Sequence, residues 1–99
     1  MIIINTTLSF ADEIQSNAIE WLKTDYMPLL KACPLVNSVD LFSIEAQQGA
    51  DDCFALQIRF NSTESFTMYK AKFQQDFEAA LYAKFTNQFG MFKTILTSL

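Results

Sequence analysis

The run CFALQIRFNSTESFTMYKAKFQQDFEAALYAKF, residues 53–85, carries two hydrophobic periods back to back. Up to Asn61 the period is two. Phe54, Leu56, Ile58 and Phe60 point one way and Ala55, Gln57 and Arg59 the other, as in a half-buried strand. From Thr63 the period becomes helical, with Phe66, Tyr69, Phe73, Phe77, Ala80, Leu81 and Phe85 at steps of three and four. Asn61, Ser62 and Thr63 at the junction offer side chains that can cap the new helix. An apolar strand face followed by an aromatic helix stripe predicts a helix packed on a sheet.

Upstream, Val39 to Gln47 reads as a strand, and the turn-rich link Gln48 to Asp52 makes it a hairpin with the strand at Cys53. If paired residue numbers sum to 100, Phe42 opposes Ile58, Ile44 opposes Leu56 and Ala46 opposes Phe54. The reverse face then pairs Leu41 with Arg59, Ser43 with Gln57 and Glu45 with Ala55. Sums of 98 or 102 keep these faces, and an odd sum mixes them. Earlier still, Ile2, Ile4, Thr6, Leu8 and Phe10 alternate with Ile3, Asn5, Thr7 and Ser9, a second half-buried strand pattern. Helical spacing follows at Ile14, Ala18, Trp21 and Leu22. Pro28 has no N–H for the Thr24 carbonyl, so the helix should be interrupted near Tyr26 and Met27 and stop by Cys33-Pro34. Gly90 reads as a break before a last strand, Met91 to Leu99.

The order is βαββαβ. With right-handed crossovers it predicts one α+β domain over 1–99, a ferredoxin-like sandwich. Its antiparallel sheet has the spatial order 4-1-3-2, with both helices on one face. Cys33 and Cys53 then lie about a strand length apart, ~30 Å, whereas a disulfide needs Cα atoms within about 7 Å. No disulfide is expected.

Composition narrows the function. Of the 99 residues 51% are hydrophobic, which fits a single folded domain rather than a disordered chain. Seven basic residues against eleven acidic give a net charge of −4, and the basic ones are scattered singly from Lys23 to Lys93. Nucleic acid needs a basic footprint, so it is not an expected partner. The opening Met-Ile-Ile-Ile-Asn has no positive segment, and no apolar run approaches the ~18 residues of a membrane helix. The expectation is a cytoplasmic protein without a membrane partner. The chain has no His. Ser-His-Asp and Cys-His pairs are therefore impossible, and two thiols alone make no closed zinc site. No metal, cofactor or catalytic residue is assigned from the sequence.

The sheet face away from the helices is the candidate functional surface. It is expected to carry Asn5, Thr7, Leu41, Glu45, Gln57, Arg59, Lys93 and Ile95, a mixture of aliphatic and hydrogen-bonding groups suited to a wet interface. We read it as the face of a homodimer, the alternative being a solvent-facing sheet. Arg59 is expected to pair with Glu45 or with an acidic residue across the dimer, and Asn5 with Gln57 as strand neighbours. Trp21 and Tyr26 are core candidates that could also line a pocket.

Four segments carry a resemblance: Ile4-Asn5-Thr6-Thr7, Trp21-Leu22-Lys23 with Tyr26-Met27-Pro28, Phe54 to Phe60, and Phe92-Lys93-Thr94-Ile95-Leu96. Together they make the whole chain similar to a bacterial family of proteins about this long, known only as a domain of unknown function. The resemblance implies a fold akin to the dimeric α+β barrel group and no assigned activity. In that family an aromatic often precedes the early Asn-x-Thr, whereas Ile4 stands there in this chain.

Other uses of the fold lack their residues. Strands one and three offer no stacking aromatics for RNA, there is no Cys-x-x-Cys metal loop, and Ser9-Phe10-Ala11-Asp12 is no phosphate loop. The reading is a non-catalytic dimeric module that binds a small molecule or a protein. The alternative is a cofactor-independent enzyme of the dimeric barrel type, oxygenase- or isomerase-like. In it Arg59 would hold an anion and Asn5 would donate to an oxyanion, with Gln57, Trp21 or Tyr26 completing the pocket.

Overall fold

The computed structural model describes residues 1–45 and 52–99. The link expected at Gln48 to Asp51, the strand end at Gln47 and the pairing of Ala46 lie outside these residues. Four strands, β1 (Ile2–Phe10), β2 (Ser38–Ile44), β3 (Cys53–Phe60) and β4 (Phe89–Thr97), form one antiparallel sheet in the order β2-β3-β1-β4. This is the ferredoxin-like order read from its other edge, and the helices pack on a single face. Ile4, Thr6, Leu8 and Phe10 of β1 and Leu56, Ile58 and Phe60 of β3 are buried beneath them. The alternation of these two central strands is thus the one the sequence predicts.

The first helical segment is interrupted as Pro28 requires. A 3-10 turn (Asp12–Ile14) leads into α1 (Gln15–Trp21), then a π turn (Leu22–Tyr26), then α2 (Met27–Lys31). The Met27 N–H reaches back five residues to the Leu22 carbonyl. The wider turn lies just ahead of Pro28, the residue that cannot serve the Thr24 carbonyl. The predicted second helix is two pieces, α3 (Thr63–Lys72) and α4 (Gln74–Lys84), parted at Phe73 with φ −122° and ψ −30°. No Gly or Pro marks that break. Tyr69, Phe73 and Phe77 stay linked by backbone bonds of 2.9 and 3.1 Å, so a single residue carries the distortion. Ser62 caps α3, its hydroxyl accepting from the Ser65 N–H at 3.1 Å. Ser62→Ala should therefore lower stability by about 1 kcal/mol, read as a shift in the urea midpoint.

The aromatic stripe is the core. Tyr69, Leu81 and Phe85 are buried, with Phe66, Phe73, Phe77 and Ala80 packed against them. Phe10 meets Phe85 edge-on at 5.2 Å, and Phe60 contacts Tyr69 at 5.0 Å. Cys33 is buried, and no disulfide joins it to Cys53. Gly90 is no break. It lies inside β4 opposite Ser9, and the chain turns earlier, at Asn87 with φ 61°.

The two edge strands correct the expected faces. In the β2–β3 ladder Val39 opposes Ile58, Leu41 opposes Leu56 and Ile44 opposes Cys53, an odd register. Val39 and Leu41 therefore turn to the helices, while Phe42 and Ile44 turn outward. The helix layer selects this phase: Val39 is 3% exposed, whereas Phe42 and Ile44 are 47% and 41% exposed. In the β1–β4 ladder Lys93 opposes Thr6 and Ile95 opposes Ile4, which places both on the helix side. Phe89 decides that phase by packing on Phe10, Phe85 and Tyr82 at 5.2–6.2 Å.

Candidate functional site: the open sheet face

The corrected registers define the uncovered face. Its middle is a chain of hydrogen bonds in which Gln57 Nε2 donates to Asn5 Oδ1 at 3.1 Å. Arg59 Nη2 donates to Gln57 Oε1 at 2.6 Å, and Arg59 Nη1 forms an ion pair with Asp40. Asn5 and Gln57 face each other across β1 and β3, and Gln57 and Arg59 are two apart on one strand, so the strand period alone brings them together. Asp40 joins them because the odd register sets it opposite Gln57. The Asn5–Gln57 pairing is as expected. The partner of Arg59 is Asp40 rather than Glu45, which lies beyond the end of β2 and does not oppose Ala55.

Around this network the face is apolar at its margins. Phe42 opposes Ala55, Ala55 opposes Thr7, and Thr7 opposes Phe92. This row runs large, small, small, large across the sheet. With strands spaced about 4.8 Å apart, the two rings stand ~14 Å from each other across a shallow trough. Phe92 is 63% exposed, and Leu96 adds further apolar surface. Sequence reading missed Asp40, Phe42, Ile44, Phe92, Thr94 and Leu96 on this face. Of the residues it did assign there, the structure keeps Asn5, Thr7, Gln57 and Arg59. It moves Leu41, Lys93 and Ile95 to the opposite side, where Leu41 packs against the core and Lys93 pairs with Glu78 at 2.6 Å.

Trp21 and Tyr26 stack at 5.4 Å, and Trp21 also meets Phe85 edge-on. The Tyr26 hydroxyl is buried and donates to the Phe77 carbonyl at 3.0 Å. Burial pushes both Tyr26 and Tyr69 well above the ordinary tyrosine value of 10.0. The neighbouring Tyr69 and Glu78 add to the effect on Tyr26, and Cys33 and Glu78 to that on Tyr69. Both stay neutral in the fold while the unfolded chain ionises near pH 10, so the contribution of these two groups to stability is constant below that pH and falls above it. Urea midpoints measured from pH 8 to 11 test this; a rising midpoint would contradict the buried, neutral hydroxyls. Among the described residues no helix is long and apolar enough to cross a membrane, and no three metal-ligating side chains cluster.

A one-sided antiparallel sheet of this order defines the class as ferredoxin-like α+β sandwiches. Within it, the chain belongs to the family described as domain of unknown function DUF4286, whose model matches residues 1–99. Solved structures share the fold. HapK from Hahella chejuensis is 19% identical with a TM-score of 0.71, the match covering 100% of this chain and 93% of that one. A protein described as an antibiotic biosynthesis monooxygenase is 12% identical with a TM-score of 0.66, covering 100% and 99%. A dimeric ferredoxin-like protein from an uncultured marine organism is 13% identical with a TM-score of 0.68, covering 99% and 94%. Comparison with curated proteins gives no match.

Proposed function

We propose that this protein is a small non-catalytic binding module that works as a homodimer, its two open sheet faces meeting. The observation that carries the reading is the placement of Phe42, Phe92, Ile44 and Leu96, each at least 41% exposed, on one uncovered face. Apolar side chains gathered on one face mark an interaction surface, whereas isolated ones are ordinary. The polar network supports a self-interface as well. Asn5, Gln57, Arg59 and Asp40 satisfy one another within a single chain, so covering them leaves few groups unpaired. The similar structure described as dimeric supports the same association.

The enzyme reading is weaker on this face. Gln57 already donates to Asn5, and the Arg59 charge is matched by Asp40, so neither is poised for an anion or oxyanion. Native mass spectrometry of the protein as purified is the test. A dimer without added mass supports the proposed module. A bound small molecule released unchanged is compatible with the module, its chemical conversion by the dimer would favour the enzyme reading, and a monomer at micromolar concentration would overturn the self-interface.

A further inference from the structure

On the other side of the sheet, polar groups converge where neither the core nor the dimer face needs them. Between the sheet and α4 lies a cavity of about 10 Å³, walled by Ile4, Ile58 and Met91 from the strands and Tyr26, Tyr69 and Leu81 from the helices. Alone it holds one water at most. On the outer surface of α3 and α4 a groove of about 370 Å³ runs past Lys70, Gln75, Ala79 and Tyr82. Gln74 and Glu78 line both spaces, so these two side chains form the partition between them.

The partition is incompletely satisfied. Gln74 Nε2 reaches Glu78 Oε2 at 3.4 Å, while Gln74 Oε1 is buried without a hydrogen-bond partner. Tyr26 cannot supply the missing donor, because its hydroxyl is committed to the Phe77 carbonyl. Glu78 is held from the sheet side by Lys93, whose side chain is 34% exposed. A buried acceptor left without a donor favours any occupant that brings an N–H or O–H.

We propose that the cleft between α4 and β4 is a small-molecule site, opened when Gln74 and Glu78 swing aside and join the cavity to the groove. Its ligand has an apolar ring and a hydroxyl donor. In the joined space the ring lies largely in the groove, against Ala79 and Tyr82, with its edge towards Leu81, and the hydroxyl serves Gln74 Oε1. Glu78 and Lys93 neutralise each other, which selects a neutral molecule. The outer groove already has the volume usual for small-molecule sites. The site is separate from the dimer face and stands whether or not the chain self-associates.

The test is a titration of the intact ¹⁵N-labelled protein with p-cresol and, in parallel, with toluene, the same ring without the hydroxyl. Saturable shifts centred on Gln74, Glu78, Leu81 and Lys93 are expected, with toluene about fivefold weaker, as a single neutral hydrogen bond implies. Gln74→Met keeps the chain length and removes the acceptor, so it should reduce p-cresol to the affinity of toluene while thermal unfolding shows the fold intact. Equal affinity for the two probes, or unchanged p-cresol binding in Gln74→Met, would overturn the site. So would an absence of saturable shifts, or shifts centred on Phe42 and Phe92, which would mean that the orphan oxygen holds a water only.

Discussion

Phe60→Ala should cost about 3–5 kcal/mol, a large share of the roughly 5–15 kcal/mol expected of a single domain. Phe60 is fully buried at the end of β3, set edge-on to Phe66 at 5.7 Å and against Tyr69 at 5.0 Å. Truncation removes the transfer free energy of the ring. It also leaves a cavity between two rigid elements, the strand and α3, neither of which can close it without breaking ladder or helix bonds. The two aromatic contacts add ~1 kcal/mol more, since edge-on and tilted ring pairs exceed their area burial. Phe73→Ala is the comparison. Its ring is half-buried at the break between α3 and α4 and stacks on Phe77 at 6.0 Å, so its loss should be less than half as large. Urea unfolding of both variants measures the ratio. Equal losses would mean that the stripe is loaded evenly and that the break at Phe73 is tighter than its burial indicates.

That contrast shows what the sequence made legible. The central strands and the helix stripe were readable because each has one buried face, and a buried face imposes a clean period. β2 and β4 are edge strands, and their apolar residues occur on both phases: Val39 and Leu41 against Phe42 and Ile44, Met91 and Ile95 against Phe92 and Leu96. Periodicity cannot choose between two equally apolar phases. The choice is made by tertiary contacts, Val39 under the helix layer and Phe89 against Phe10, which a single sequence does not display. The network suffered accordingly. Asn5, Gln57 and Arg59 were legible as a group because they sit on the two strands whose phase was clear. Asp40 was not, because its place depends on the β2 register. Leu41, Lys93 and Ile95 were misplaced for the same reason. The break at Phe73 had no sequence signal, whereas the π turn was announced by Pro28.

Phe92→Asp should convert the proposed dimer to a folded monomer, raising its dissociation constant by at least about 100-fold, since burying an uncompensated charge costs several kcal/mol. In a two-fold interface each substitution occurs twice, so the repulsion and the desolvation are both doubled. The monomer itself should tolerate the change. Phe92 lies on an edge strand with its ring 63% exposed, and nothing in the core rests on it. Leu29→Asp is the matched control, an equally non-polar and 47% exposed position on the helix side of the molecule. Light scattering across a concentration series separates the outcomes. A dimer that survives Phe92→Asp but not Leu29→Asp would move the interface to the helix layer, and one that survives both would remove Phe92 from it. Loss of the dimer in Phe92→Asp alone, with an unchanged urea midpoint for the monomer, ties self-association to the trough between Phe42 and Phe92. The polar chain from Asn5 to Asp40 would then lie at the centre of the interface, where a charge already matched within each protomer adds specificity without a second unpaired partner.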